Sequence, residues 1–400
     1  MTGLLSATTS CPENCINKIV VLSSVLIGLV LLSVALNLWQ WIAACCFSLN
    51  GARLSSRSDT LPGVTLLKPL KGCDSETKSC LESWFCQDYT GPIQILFGVA
   101  SATDPVCDIV NSLIVKHPQV DARLVICPKT LGANAKVSTL IQLESLACHS
   151  FVMVSDADVV VSTDFLGKMM AGFSSGDVGL VNCFYRLENP STAAMQWEAI
   201  AVNADFWSQV LQGNMLKSMD FALGAVMAVR ADYLQRIGGF SSLANYLADD
   251  YQLGHKIAAT GARITICPAV AGCRADIMNW SQVWSHQLRW ARTIRFCQPI
   301  PWFFSILSNA TLWPLAAISF LPNRSSFIIV AIALVLRVVT ALHNQFRLTN
   351  GCRHLLYFWL IPIKDLLQFA LWAGSFLGST VVWRGVTYRV LPGGKLLACK

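Results

Sequence analysis

Charge is scarce in this chain. Asp, Glu, Lys and Arg make up only 13% of its 400 residues, where an average soluble domain carries about 25%. Hydrophobic residues fill 54% of the sequence, so membrane segments joined to a globular part are expected. Basic runs are missing as well. The formal charge is +7, yet no cluster of Lys and Arg interleaved with aromatics occurs, which argues against a nucleic-acid surface. A thin positive excess on a membrane chain is more simply an orientation signal with affinity for anionic lipid. Paired cysteines are absent too. There are 16 cysteines but no CxxC, and the nearest spacings are Cys11/Cys15 and Cys45-Cys46. A zinc knuckle needs two close pairs. These thiols are expected to stay free and to fill apolar space in a reducing compartment. Neither an internal repeat nor a low-complexity segment is present.

What is there begins with a long apolar run. Residues 19–47 contain no charge and exceed the ~20 residues that a bilayer-spanning helix needs. A signal peptide, with its apolar core of about 7–15 residues, is too short a match. An anchor over 19–47 is therefore expected, with Trp39 and Trp41 at its interfacial end. Lys18 precedes it, and Arg53 and Arg57 follow. By the positive-inside rule, residues 1–18 lie on the non-cytoplasmic side and a globular domain over 48–298 lies in the cytoplasm.

That domain alternates strand and helix patterns. Strand-like runs are Val64–Leu67, Ile93–Val99, Arg123–Ile126 and Phe151–Val154. Between them lie helical patterns such as Ala133–Ala147, with Leu140, Leu143 and Leu146 on one face. This predicts an α/β fold with crossover units and a largely parallel sheet. Such sheets bind ligands beyond the carboxyl ends of their strands, where Asp156 and Asp158 fall.

The C-terminal third is apolar again. Residues 299–383 predict two to four membrane helices, with plausible spans at Trp302–Leu321, Phe327–Leu342 and Ile361–Trp383. They contain Arg337, Lys364 and Asp365, which are expected to face the protein interior or water. Arg347, Arg353 and His354 suggest a cytoplasmic loop. Three spans leave the basic tail over 384–400 (Arg384, Arg389, Lys395, Lys400) outside, against the positive-inside rule. Either one segment is re-entrant or the tail breaks the rule.

Several motifs carry potential chemistry. Asp156-Ala157-Asp158 follows a strand, and residues two apart in extended or turn backbone can aim carboxylates the same way. Such a pair suits a hard divalent cation that bridges phosphate oxygens; the alternative is a polar loop. Asp104, before Pro105, could place a nucleoside or simply start a helix. Asp249 and Asp250 begin DDYQLGHKIAATG, with Gly261 as a fitting helix stop. A helix N-terminus favours an ionised carboxylate, so Asp250 is expected to be a general base and Asp249 its support. Arg289 and Trp290 share a helix pattern with Arg292 and Arg295. Guanidinium groups hold diphosphates through paired hydrogen bonds, and an indole can floor a sugar or lipid head group. The alternative is an interfacial amphipathic helix. Lys68, in Lys68-Pro69-Leu70-Lys71-Gly72, and Lys136, in a segment that opens a helix, are expected near donor phosphates.

In order, these pieces resemble the D, D, D, (Q/R)xxRW pattern of lipid-directed, family-2-like glycosyltransferases. More closely, the chain resembles the ceramide glucosyltransferase family, through KPLKG at 68–72, TDP at 103–105, HPQVDARL at 117–124, LADDYQLG at 247–254 and Arg289-Trp290. The likeness runs from the anchor to the C-terminal spans. It implies an α/β GT-A (Rossmann-like) fold, a UDP-sugar donor, a divalent metal (Mg or Mn) and inversion at the anomeric carbon. It makes Asp104, Asp156 and Asp250 the three family aspartates. It implies donor contacts from Asp104, Lys68, Lys136, Arg289 and Trp290, metal ligation by Asp156 and Asp158, and proton removal by Asp250. The departure is His286, where the family has Gln or Arg; Gln287 comes one place later. The chain is also similar to bacterial hopanoid-glycosylating enzymes, which share His-x-Leu-Arg-Trp and Ala-Arg-Thr-Ile-Arg and use an N-acetylglucosamine donor. The expected protein is a multi-pass bacterial inner-membrane enzyme that glycosylates a lipid hydroxyl, with glucose and a ceramide-like lipid first in line. A processive polysaccharide synthase shares the motif but needs a pore, for which about four spans are few. A non-catalytic lipid-binding scaffold has little use for three carboxylates at strand and helix ends.

Overall fold

The computed structural model describes residues 13–49, 61–383 and 386–398. Residues 1–12 and the flanking charges Arg53, Arg57, Arg384 and Lys400 lie outside the described residues. Helix α1 (Glu13–Cys46) comes first. The globular part then runs β1 (Val64–Pro69), α2 (Thr77–Glu82), β2 (Ile93–Val99), α3 (Val106–Lys116), β3 (Asp121–Ile126), α4 (Ala135–Glu144), β4 (Phe151–Ser155) and β5 (Val159–Val160). It continues through α5 (Phe165–Ala171), β6 (Val178–Leu187), α6 (Ala193–Ile200), a π-helical stretch (Ala201–Phe206) and α7 (Trp207–Leu216). β7 (Val226–Arg230), α8 (Ala231–Arg236), α9 (Asp249–Ala259) and β8 (Arg263–Cys273) complete it.

The expected α/β class is borne out, but the sheet is mixed rather than largely parallel. Its strand order is β3-β2-β1-β4-β7-β6-β8-β5. The first four strands run parallel. β7 is antiparallel to both neighbours, β4 and β6. The long helical excursion from α6 to α7 replaces a single crossover, so crossover logic does not set the direction of β7. β5 is antiparallel to β8, because the turn through Asp156–Asp158 reverses the chain. Two apolar clusters cover the two faces. On one, Leu67, Leu96 and Val152 meet Val137, Leu140 and Leu143 of α4. On the other, Leu66, Ile95 and Phe97 meet Val106, Val110 and Leu113 of α3. Every residue of β1 is buried, as expected for a central strand covered on both sides.

The second half of the chain holds α10 (Trp280–Cys297), α11 (Pro299–Phe304), α12 (Leu312–Phe320), α13 (Arg324–Thr349) and α14 (Leu360–Ser375), then β9 (Thr380–Trp383), β10 (Val386–Val390) and β11 (Leu396–Ala398). Two helices are long and apolar enough to cross a membrane, within α1 and α13. Only 22% and 28% of their most apolar windows is covered by protein, so most of each apolar surface faces outward. The run Pro299–Ser308 and Leu312–Phe320 reaches spanning length only as a pair, bent by 57°. α1 and α13 run parallel. Near their C-terminal ends the Trp41 Nε1–H donates to His343 Nδ1 at 2.9 Å, and Arg347 donates to the carbonyls of Ala44 and Phe47. At the other end Leu26 and Val30 meet Ala317 of α12.

The expected span at Ile361–Trp383 is corrected. α14 ends at Ser375, after 16 residues, and Thr380–Trp383 is a strand. A short apolar run does not tell helix from strand by periodicity, and Thr-Val-Val-Trp is β-prone. β9, β10 and β11 form their own antiparallel sheet. That sheet is laced to the globular part: Leu396 N–H donates to Asn245 O at 2.8 Å and Leu247 N–H to Gly394 O at 3.0 Å. The described part of the basic tail therefore lies on the globular side, which removes the conflict over its position.

Arg337, Lys364 and Asp365 turn inward, as expected. Arg337 donates to both oxygens of Asp205 at 2.9 Å and to both oxygens of Asp365 at 2.8 Å. Lys364 contacts the same two carboxylates, and Thr311 donates to Asp365 Oδ2 at 2.6 Å. Two acids and two bases thus join α13, α14 and the π-helical stretch. Removing one partner leaves buried charge uncompensated, at about 3–5 kcal/mol. Arg337→Ala is expected to lower the melting temperature in detergent far more than Arg337→Lys; equal melting temperatures would exclude this role.

Candidate active site

The site starts at the carboxyl end of β4. Asp156 N–H donates to Ala225 O at 3.2 Å. The carbonyl of Asp158 accepts from Arg274 N–H at 3.0 Å and from the Cys80 thiol at 3.3 Å. Lys68 lies beneath this turn, fully buried. Its ammonium donates to Ser155 Oγ at 3.1 Å and to Asp156 O at 2.6 Å. Burial pushes Lys68 down to about 8. Lys68, expected near donor phosphates, lies as a strut under the Asp156 turn, because β1 is central and its end is covered.

Lys136 stands above. Its Nζ lies 2.7 Å from Asp156 Oδ1 and 3.0 Å from Asp249 Oδ2. Burial alone lowers an ammonium pKa, but the two carboxylates outweigh it and hold Lys136 well above its ordinary value. The helix start that carries Lys136 is fixed locally by Asn134, whose side chain accepts from Val137 N–H at 3.1 Å. The same side chain donates to Tyr246 O at 2.8 Å, and Asn134 N–H donates to Ala244 O at 2.9 Å. Gly132 is needed here: a Cβ would stand 2.4 Å from Ala244 O. The Gly132–Lys136 and Leu247–Gly254 motifs are thus held against each other.

Asp249 and Asp250 occupy the first turn of α9, where the helix dipole favours negative charge. Asp249 is buried and pairs with Lys136. Asp250 is half-buried; its Oδ1 accepts from Tyr251 N–H at 2.8 Å. Loss of surrounding water in the recess, then the Asp249 charge, push Asp250 up to about 6. Loss of water, then the Asp156 charge, raise Asp158. Gly254 lets this helix meet the preceding loop, since a Cβ there would stand 2.3 Å from Ala222 N. Gly261 ends the helix at φ +86°, as expected.

Asp104, expected to contact the donor, sits between β2 and α3. Both its oxygens accept from Gly72 N–H at 3.0 Å, and Oδ1 also accepts from Val106 N–H at 3.1 Å. It clamps the loop after β1 to the start of α3, so the expected helix-start role is part of what it does.

α10 brings in the last motif. Glu198 of α6, 1% exposed, accepts from Gln287 Nε2 at 2.8 Å and lies 2.7 Å from His286 Nδ1. An ionised carboxylate only accepts, which places the imidazole proton on Nδ1. The His286 ring packs on Trp290 with centroids 4.6 Å apart. The departure at position 286 thus has a structural answer: His286 and Gln287 converge on one buried acid. Arg289 is half-buried on this helix. Arg292 and Arg295 are engaged elsewhere, donating to the carbonyls of Thr380 and Gly378 at 2.5 and 2.7 Å. Gln298 Nε2 donates to Tyr251 OH at 3.0 Å, joining the segment after α10 to α9. Tyr185, near the end of β6, packs on Phe206 of the π-helical stretch with ring centroids 5.6 Å apart. Burial raises its hydroxyl well above the ordinary value, with Cys273, Asp250, Glu198 and Asp156 adding to the effect.

Glu198, Tyr185 and Asn134 are not among the site residues expected from sequence. A single acid in Ala-Ala-Met-Gln-Trp-Glu-Ala-Ile gives little local signal of its partner. Asn before a helix is visible as a cap, but its second bond to Tyr246 is not. Glu198→Ala is expected to leave His286 and Gln287 without their acceptor and to cost about 1–3 kcal/mol. Its melting curve should fall below that of Glu198→Gln, and a wild-type curve would refute the arrangement.

Known proteins resemble this chain. Ceramide glucosyltransferase 3 of Caenorhabditis elegans is 23% identical over 353 residues, covering 85% of this chain and 75% of that protein. The ceramide glucosyltransferase of Candida albicans is 37% identical over 123 residues, covering 28% of this chain and 23% of that protein. Among solved structures, the mannosyltransferase PcManGT from Pyrobaculum calidifontis, in complex with GDP-Man and Mn2+, aligns over 87% of this chain and 98% of that one, at 20% identity and a TM-score of 0.49. The family model for glycosyl transferase family 21 matches residues 21–396, so the chain belongs to that family.

Proposed function

We propose that this chain transfers a hexose, glucose first, from a UDP-sugar to the hydroxyl of a ceramide-like membrane lipid, with inversion at the anomeric carbon. The observation that carries this reading is the Lys136 bridge. It draws the turn after β4 and the start of α9 together, so that Asp156 and Asp249 share one ammonium, with Asp158 and Asp250 close by in the chain.

In this mechanism Asp250 takes the proton of the acceptor hydroxyl. The acceptor oxygen bonds to the anomeric carbon as the bond from that carbon to the diphosphate oxygen breaks, and UDP leaves. Arg289 offsets charge on the departing diphosphate, and Trp290, packed on His286, borders the acceptor. Among the described residues, no three His, Cys, Asp or Glu side chains form a closed metal cage. The recess nonetheless fits a hard cation. Its donors are carboxylate oxygens, and an ammonium already bridges two of them. Mg2+ commonly takes one or two carboxylates and completes its shell with phosphates and water. Asp156 and Asp158 would hold it, and when bound it would supply charge neutralisation at the diphosphate.

The membrane arrangement follows the same reading. α1 enters the globular side, the bent pair α11–α12 leaves it, and α13 returns, which makes three crossings with the globular part in the cytoplasm of a bacterial cell. The acceptor reaches α10 from the bilayer.

Asp250 must be ionised to act, and its carboxyl titrates near pH 6. Turnover is expected to be full above that pH and to fall as pH drops through it. Asp250→Asn is expected to lower turnover by ~10²–10⁴ while UDP binding persists; a variant with wild-type turnover would remove Asp250 from this role. The substrate test is mass spectrometry of lipids from cells with and without the chain, supplied with labelled UDP-sugars. A labelled hexosyl-ceramide supports the proposal. Labelled N-acetylglucosaminyl hopanoid, or polymer, overturns the substrate assignment.

A further inference from the structure

Lys136 has a position that donor binding alone does not explain. In the recess it makes no contact that awaits a phosphate; its ammonium is taken up by Asp156 and Asp249 at 2.7 and 3.0 Å. It is 9% exposed and enclosed with Asp249, while 39% of the Asp156 side chain stays open to solvent. Four carboxylates, those of Asp156, Asp158, Asp249 and Asp250, share this region with two ammonium groups. Lys68 is committed from below to Ser155 Oγ and the Asp156 carbonyl. Lys136 alone contacts the carboxylate oxygens. A mutual excess of acid remains around it, which matches the charge of a divalent cation.

We propose that Lys136 is a resident counter-cation of the acidic turn: without donor it occupies Asp156, and a divalent cation arriving with the nucleotide diphosphate displaces it. This rests on the transferase reading above and extends it. The displaced ammonium keeps its anchor on Asp249, one residue from Asp250. The exchange therefore couples donor loading to the charge beside the proposed base. It also makes metal binding conditional. A lone divalent cation must displace the ammonium from Asp156 and leave it paired with Asp249 alone. A cation carried with a diphosphate brings oxygens that can accept from that ammonium. The enzyme is thereby protected from filling its site with metal in the absence of donor.

The test is Mn2+ binding by purified, detergent-solubilised wild type, Lys136→Met, Lys136→Gln and Lys136→Arg, followed by the electron paramagnetic resonance signal of free Mn2+ without nucleotide and then with UDP. Removing a unit charge a few ångströms from the ligand is expected to tighten nucleotide-free Mn2+ binding at least about tenfold in Lys136→Met and Lys136→Gln. Lys136→Arg keeps the charge and should stay near wild type. UDP should tighten binding strongly in wild type and much less in the two neutral variants. The thermal shift on adding Mn2+ gives a second readout within each variant and does not depend on its baseline stability. Nucleotide-free binding that is unchanged or weaker in both neutral variants overturns the inference. Absence of Mn2+ binding to every protein, with UDP present, also overturns it; release of UDP by wild type from a UDP-sugar would then leave the transferase reading standing.

Discussion

The ion pairs of Lys136 with Asp156 and Asp249 are the contact on which the site depends. Like charges gathered in a recess repel one another, and the repulsion grows as water is excluded. Loss of water first, and the Asp249 charge second, raise the carboxyl of Asp250. Two lysines offset the repulsion from opposite sides. Lys68 holds the backbone of the turn, and Lys136 holds the carboxylates. The scaffold around them consists of close backbone approaches, at Gly132 against Ala244 and at Gly254 against Ala222. Neither glycine is there for a turn. Each lets two segments approach more closely than a side chain permits, so that acids from separate elements share one cation.

Much of this is legible in the sequence because it is local. The four β-strands of the first half, the stop at Gly261 and the acid pair at the start of α9 are each set by neighbours in the chain. The family resemblance adds their order. What is not legible is what depends on partners. Lys68 reads as a free lysine after a strand, and only the pairing of β1 between β2 and β4 shows that its end is covered. Asp104 reads as a ligand or a cap, and its bond to Gly72 N–H exists only where the two loops meet. The sheet direction at β7 is hidden because a helical excursion stands where a crossover is expected. The strand within Ile361–Trp383 is hidden because apolar content is shared by α14, which packs against α10 and α6, and by β9, which pairs with β10. Glu198 gives no signal because its role is defined wholly by α10.

α6 connects the apolar helices to the site. Glu198 lies in α6 and Asp205 in the π-helical stretch that follows without a break. The first holds His286 and Gln287 of α10. The second holds Arg337 of α13 and Lys364 of α14. A π-helical turn adds a residue to the helix repeat, which changes the direction in which Asp205 projects relative to an uninterrupted α6. One helical run thereby grips the motif helix and the apolar helices at once. Buried ion pairs add little net stability over apolar packing, and their best-attested use is to fix one arrangement among several. Under the proposed transfer to a lipid hydroxyl, that is the relevant constraint, because the distance from the bilayer to Asp250 is then set by the protein and not by diffusion of the acceptor. A purely apolar contact between α6, α13 and α14 would tolerate sliding. Four charges with paired, directional hydrogen bonds do not, because a shift by one helical position would leave a buried charge without its partner.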